Sequence, residues 1–600
     1  MTSIYLGISG LNVAQQGLNT TAHNLANVET KGYVRQQYES KDFGYQTVGV
    51  AANHLNQTGF GVTPEVVRQV RDRFYDARYR LEVGRKGFYE IQYEIVREVE
   101  DIFGELEGVS FKNSMNHFWE AIQELSKEPD SIVTRTTFVK TAETFLQRAK
   151  IIDNQLKDYQ RHINDKVIEK VNRINEIGEN IVKLNEKIRM IEAGKQERAN
   201  DLRDSRNLLL DELGELIDIS YIEDPMGVVN VYAETIPFIN DGNIYRMDYV
   251  TDKKTGMIDP VWRGLNQKVF NFDKIPNTLD NDDVGSLKGI LLARGKGPAN
   301  YTDIPERWPN ETEIDYQMRL KEYNSYTKAS LLRSLQSKLD RLVHGIVTGI
   351  NDVFAPNVSF SKEQEDILVS PVTLPDGREL KAGKVKVLAD DAPIGMDENH
   401  TKGEALFDRI ATKRYETVVA KVYVLDENGN KIADPNDQTG FKTEDKTFYV
   451  YNEEDPNDNY TLYTISELQM NVEILNNYSK LPLHRHDQPT SYDVDTINKL
   501  LDTWNKPFAT LGPEFSIKTN FSDYYNAFIS NIANVGATFR EITENQKISV
   551  EVIDSDRQNF MGVNSDEELT NLIRFQHSYN AASRYINVIN EMLDHLINRM

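Results

Sequence analysis

The two ends of this chain constrain its fold more than anything between them. From Ile4 to Tyr33, the residues Ile4, Ile8, Leu11, Gln15, Leu18, Ala22 and Leu25 recur at alternating steps of four and three. That spacing keeps one stripe of a helix facing a neighbour. It predicts an amphipathic helix ending near Asn27, with Asn12, Gln16, Asn19 and His23 on the polar side. A lone helix of this length is marginal in water, because nucleation is costly and propagation returns little without tertiary contacts. A partner stands at the opposite end, where Leu572, Phe575, Tyr579, Ala582, Ile586, Ile589, Leu593, Leu596 and Met600 repeat the alternation. The two ends read as one coiled coil. At roughly 1.5–3 kcal/mol per fully buried large apolar side chain, either stripe rivals the net stability of a typical domain. Lying at the ends of the sequence, the stripes are read as assembly helices. In an isolated monomer they are expected to exchange and proteolyse rapidly over about 1–40 and 560–600.

With 600 residues the chain is too long for one core, and about three to five domains are expected. Net charge is −24, the pI is near 5.0 and mean hydropathy is −0.55. No run approaches the ~20 apolar residues that cross a bilayer. Nucleic acid and anionic membrane are therefore not expected as partners, since both select basic patches. The N-terminus lacks the basic stretch and apolar core of a secretory signal peptide, which by itself points to the cytosol. Cysteine is absent, so disulfides, thiolate nucleophiles and cysteine-ligated metal are excluded.

The fold class expected is mainly α with β insertions. Residues 1–60 form the N-terminal part of an inner coiled-coil domain, with extended chain over 34–67. Residues 61–356 form a helical middle domain, its helices starting near Asp72 and broken around Glu128, Pro129, Asp130 and Gly194. Within it the longest helix runs over about 152–191, its stripe of Ile174, Ile177, Ile181, Leu184, Ile188 and Ile191 facing another helix. A further helix spans about 199–217. The period changes to two at Ile219, predicting an embedded β segment over about 219–290 with Asn240, Asp241 and Gly242 as a hairpin turn. Helix returns over about 316–354, carrying Leu331, Leu335, Leu339, Leu342, Ile346 and Ile350. Residues 357–490 are acidic and strand-patterned, an exposed outer β domain. Helices at about 494–504 and 523–553 place 491–559 back in the middle domain, and 560–600 is the C-terminal helix of the inner one.

Chemistry is sparse. His484, Arg485, His486 and Asp487 put two imidazoles and a carboxylate within four residues, but no third histidine stands at a recognisable spacing. Asp426, Glu427, Asn428, Gly429 and Asn430 suggest a calcium loop until the sixth position proves to be Lys431 and the twelfth Asp437; a hairpin turn fits better. Gly295, Lys296 and Gly297 lack the rest of a phosphate loop. No nucleophile has an identifiable base. The reading is no enzyme, with no catalytic, cofactor-binding or metal-binding residue and no cofactor.

Ile8, Ser9, Gly10 and Leu11, followed by Asn24, Leu25, Ala26, Asn27, Val28, Glu29, Thr30, Lys31, Gly32 and Tyr33 with Arg35 and Gln36, resemble the opening signature of the axial proteins of the bacterial flagellum. Five further stretches resemble the hook-filament junction family among them: Thr58 to Val62; Arg71 to Phe74 with Tyr79 and Arg80; Ala199 to Leu202 with Arg206 and Leu210; Gly285 to Leu287 with Gly289; and Gly562 to Glu568 with Asn571, Leu572, Tyr579, Asn580 and Ala581. The resemblance excludes about 357–460. It implies a structural protein whose terminal helices form the inner tube of a ring of identical subunits, with the hook protein below and a second junction protein and the filament above. It also implies an export chaperone and passage through the flagellar type III channel without a cleaved signal peptide, hence an extracellular location. On this reading the assembly interface is Ile4, Ile8, Leu11, Leu18 and Leu25, with Asn24, Asn27, Gly32 and Tyr33 at the turn. On the C-terminal helix it is Leu572, Phe575, Tyr579, Ala582, Ile586, Ile589, Leu593 and Leu596. The alternatives are another axial component (hook protein or second junction protein) and an adhesin acting through 357–490.

Overall fold

The computed structural model describes residues 2–51, 54–104, 110–194, 197–307, 311–426, 429–434 and 439–599; Met600, Glu427, Asn428 and Asp437 lie outside them. It is mainly α with small antiparallel sheets. In chain order the helices are α1 Thr2–Ala26, α2 Arg73–Phe103, α3 Phe111–Lys127, α4 Ile132–Glu192, α5 Asn200–Leu216, α6 Ser286–Arg294, α7 Glu313–Glu322, α8 Leu331–Phe354, α9 Lys362–Asp366, α10 Val472–Asn476, α11 Val494–Asn505, α12 Phe521–Met561 and α13 Ser565–Ile597. No helix among the described residues is long and apolar enough to cross a membrane. The chain forms two compact units, one of 1–94, 163–292 and 537–600, the other of 95–162 and 293–536.

In the first unit, strands Gln36–Asp42 and Val62–Gln69 pair antiparallel after α1. Strands Ile219–Glu223, Val229–Ala233, Ile236–Asn240 and Asn243–Ile244 form one sheet, and Met247–Thr251, Ile258–Trp262 and Gln267–Lys268 another. The expected hairpin turn is present, with Asp241 and Gly242 both at positive φ (47° and 76°) as such a turn requires. On α4, Ile174, Ile177, Ile181 and Ile188 are buried, whereas Ile191 is exposed. The surface they meet includes strands rather than only a helix: a Cβ on Gly178 would lie 2.6 Å from Phe238 and Ile244. Three asparagines clip strand backbone to α4. Asn175 exchanges two 2.9 Å bonds with Met247, Asn185 holds the backbone of Val229, and the amide of Ile258 donates to Asn164. The long helix itself starts at Ile132, twenty residues earlier than its apolar stripe suggests.

In the second unit, Phe111, Phe118, Phe138, Phe145, Phe354 and Trp504 form a buried aromatic core. The expected stripe on α8 is buried from Leu335 to Ile350, but the helix expected from 316 is interrupted. α7 ends at Glu322, Tyr323–Lys328 winds as a π-helix, and α8 begins at Leu331. Within 357–490 a four-stranded sheet, Asn357–Ser359, Lys386–Leu388, Thr443–Tyr451 and Tyr415–Tyr423, covers its own cluster of Phe360, Leu380, Val387, Val422, Phe448 and Val450. This segment is also joined to α8: Asn351 bonds both backbone groups of Phe407, and Asp340 accepts from the Ile465 amide.

Candidate functional site: the paired terminal helices

α1 and α13 pack antiparallel. Gly7 lies against Ile586 and Tyr585, Gly10 against Ala582 and Gly17 against Phe575; a Cβ at Gly7 or Gly17 would approach those side chains to 2.7 and 2.5 Å. The residues α1 turns inward are Gly7, Gly10, Ala14, Gly17, Thr21 and Asn24, which repeat at three and four but one residue before the expected frame. The physical reason is close approach. Small side chains let the two backbones come together, and the bulk is supplied by α13. Ile4, Leu11, Leu18 and Leu25 consequently sit half-buried at the flanks, and Ile8 is exposed. On α13, Leu572, Phe575, Tyr579, Ala582, Ile586 and Ile589 are half-buried, while Leu593 and Leu596 are exposed.

At one end of the pair a buried polar cluster fixes the register. Asn24, 1% exposed, uses its whole amide. Its Nδ2 donates to the Gln36 carbonyl (2.8 Å) and to Glu568 Oε2 (3.1 Å), and its Oδ1 accepts from the Tyr33 hydroxyl (2.8 Å) and the Gln36 amide (2.9 Å). Arg35 pairs with Glu567 (2.9 Å) and Glu568 (3.2 Å), and its amide donates to the Met561 carbonyl. Glu568 is 3% exposed. Asn564 caps α13 by accepting from the amides of Asp566 and Glu567, and the acidic first turn suits the positive end of the helix.

The turn out of α1 is held from α5. Asp204 accepts from the Val34 amide (3.2 Å) and Gln69 (2.6 Å), Gln36 donates to Asp201 (3.0 Å), and Asn200 donates to Gln36 (3.2 Å). Burial pushes the Asp204 carboxyl up to about 7 and raises the Tyr33 hydroxyl as well. Asn27 closes α1 by donating to the His23 carbonyl, and Gly32 adopts φ +80° where a Cβ would strike Leu208.

The opposite end is apolar and open. Tyr5, Leu6 and Ile8 of α1 are exposed, as are Tyr585, Val588, Met592 (62%), Leu596 (60%) and Ile597 of α13. The antiparallel register carries the last turns of α13 past the start of α1.

Three family models match in order along the chain. One described as flagella basal body rod protein matches 4–33, the flagellar hook-associated protein FlgK helical domain matches 96–366, and the flagellar basal body rod FlgEFG protein C-terminal matches 557–600. The flagellar hook-associated protein 1 of Bacillus subtilis is 23% identical over 612 residues, covering 100% of this chain and 99% of its own length. That of Escherichia coli is 23% identical over 597 residues, covering 98% of each. Along its whole length the chain is similar to the flagellar hook-associated protein FlgK. A solved structure of the flagellar hook junction protein FlgK from Burkholderia pseudomallei aligns with a TM-score of 0.45 at 12% identity, over 80% of this chain and 99% of that one.

The two terminal matches of this FlgK-like chain fall on the halves of the helix pair, 4–33 on α1 and its turn and 557–600 on the end of α12 and α13. The motif residues of the first unit are structural. Arg80 and Arg557 share Asp211 (2.7 and 2.8 Å). Arg206 bonds Asn185 and Glu223. Gly285 and Gly289 lie where a Cβ would strike the backbone of Ile217 and Phe88. The partners that sequence reading missed, Glu568 and Asp204, stand 544 and 170 residues from the groups they hold. The small-residue stripe from Gly7 to Asn24 was a visible signal, overshadowed by the larger side chains beside it.

The histidine pair divides. His484 is buried, with Nδ1 3.3 Å from Arg135 and Nε2 3.2 Å from Asp130, and burial together with Arg135 lowers its pKa. His486 is exposed, and Arg485 and Asp487 pair with each other. Asp426 accepts from the Asn430 amide, and Leu425 and Lys431 form an antiparallel bridge. The described residues contain no group of three or more His, Asp or Glu side chains placed to hold a metal.

Proposed function

We propose that this chain is the structural component of the bacterial flagellum that joins the flexible hook to the rigid filament and supports filament assembly. The observation carrying this reading is the helix pair: a register fixed by buried polar contacts at one end, and a row of large apolar side chains left exposed at the other. Monomeric soluble proteins rarely expose contiguous apolar patches of this kind without a partner. Its activity is packing. Neighbouring copies bury Tyr5, Leu6 and Ile8 together with Tyr585, Val588, Met592 and Leu596, and heterologous contacts that close on themselves give a ring. The paired helices are then the inner coiled-coil tube, the helical regions 61–356 and 491–559 the middle layer, and 357–490 the outward layer. The hook protein lies below, and a second junction protein and the filament lie above. An export chaperone covers the exposed stripe before the chain leaves the cell. The family is a structural one, so no reaction is assigned. Electron microscopy of cells lacking this chain tests the reading: hooks without filaments are expected, and normal filaments would reject it.

A further inference from the structure

The second unit contains a cleft of about 530 Å³, within the roughly 300–1,000 Å³ range of small-molecule sites. One wall is α8, the other the last turn of α11 at Thr503 and the chain that follows it to Ala509, and Phe508 and Phe521 approach α8 closely because Gly345 has no side chain. Aromatic and aliphatic groups, among them Tyr301, Leu462, Phe508 and Phe521, give it an apolar body. Its polar groups are mostly committed to each other. His344 stacks on Tyr301 at 3.8 Å, and both hydrogen-bond to Glu454. Asp352 pairs with Arg414 at 2.6 Å, and Arg319 holds Glu311 through two nitrogens.

Arg341 differs. Its side chain is 9% exposed, and among the described residues its hydrogen-bond partner is Glu306, reached through Nη2 alone; Glu306 is itself 58% exposed. A buried guanidinium offers a planar fork that matches a carboxylate through two parallel bonds. Here one tine meets a surface side chain that can swing into solvent, and Arg341 lines the cleft. We propose that this cleft binds a small aromatic or aliphatic monocarboxylate, its carboxylate on Arg341 in place of Glu306 and its apolar body against Phe508, Phe521 and Leu462. The site is independent of the terminal helices, so its failure leaves the junction reading untouched.

Calorimetric titration of the full chain with 3-phenylpropionate tests it, with 3-phenyl-1-propanol as the uncharged control. Saturable 1:1 binding of the acid is expected, with the alcohol at least about tenfold weaker, as for one lost charged hydrogen-bonded pair. Glu306→Gln removes the competing carboxylate at an exposed position and should tighten the acid about fivefold, the scale of one exposed ion pair. Arg341→Met should abolish binding; if that variant fails to fold, Glu306→Gln decides alone. Absence of saturable binding in both wild type and Glu306→Gln, equal binding of acid and alcohol, or an affinity unmoved by Glu306→Gln would each overturn the proposal.

Discussion

The two ends of the α1–α13 pair are made of opposite chemistry. Where α1 ends, Asn24, Gln36, Asp204 and Glu568, joined by the half-buried Arg35, form a buried polar cluster with partners from four parts of the sequence. Where α13 ends, Val588, Met592, Leu596 and Ile597 present apolar surface to solvent. Buried polar groups specify geometry, because a shift of register leaves donors and acceptors unpaired, whereas apolar surface attracts without specifying. The chain therefore sets the register of its own helix pair internally, and the less selective surface is the one that the proposed assembly would bury. Between the two ends the glycine groove keeps the helices close.

Breaking the polar end should have the largest effect. Asn24→Ala leaves the backbone groups of Gln36 and the Tyr33 hydroxyl without their Asn24 partner and leaves Glu568 with Arg35 alone, a loss of about 2–4 kcal/mol in local stability. It should be visible as faster amide exchange over 24–36 and 561–575. Unchanged exchange there would show that the cluster does not fix the pair. Gly17→Val comes next: the added carbons meet Phe575, and overpacking of about 1–3 kcal/mol should separate the helices at that turn. Gly10→Ala is its control, since a Cβ there lies 3.8 Å from Ala582, an ordinary contact.

A smaller effect concerns pH. The Asp204 carboxyl is raised in the folded chain to about 7, above its ordinary value of 3.8. The folded state thus holds this proton more tightly than the unfolded one. Its contribution is fully present below about pH 4 and is lost as pH rises through about 7. Protection of the Val34 amide, corrected for intrinsic exchange, should be higher at pH 6 than at pH 8, and Asp204→Asn should flatten the difference. The smallest effect on the monomer belongs to the open end. Val588→Ser with Met592→Ser should change monomer stability by less than about 0.5 kcal/mol, as exposed substitutions do, yet leave hooks without filaments in cells. A normal filament with this double variant would mean that the exposed stripe takes no part in assembly.

Much of this arrangement is legible in the sequence. The three-four alternation identifies both terminal helices and their pairing, because periodicity reports a buried face whatever the partner. It misplaces the frame on α1 by one residue, since large side chains such as Ile8 and Leu18 carry the hydrophobic signal while the contact is made by Gly7, Ala14 and Gly17. The clamp is the part that periodicity cannot reveal. Asn24 at a helix end reads as a stop signal, and its bond to Glu568 exists only because the fold brings together residues at opposite ends of the chain. Similarly, nothing local announces the π-helical break at Tyr323 within an otherwise continuous helical pattern. The α4 stripe shows a buried face without showing that strands, clipped by Asn175 and Asn185, help to cover it.

Hydrogen exchange along the terminal helices, measured in the monomer and again after assembly, tests the central contrast most directly. The buried contacts of Asn24, Gln36 and Glu568 revise the expectation of rapid exchange along the whole of both ends: slow exchange is now expected over 20–36 and 561–575 in both states, with 588–597 fast in the monomer and slow once assembled. Uniformly fast exchange across both ends of the monomer, or slow exchange at 588–597 before assembly, would contradict a pair clamped at one end and open at the other.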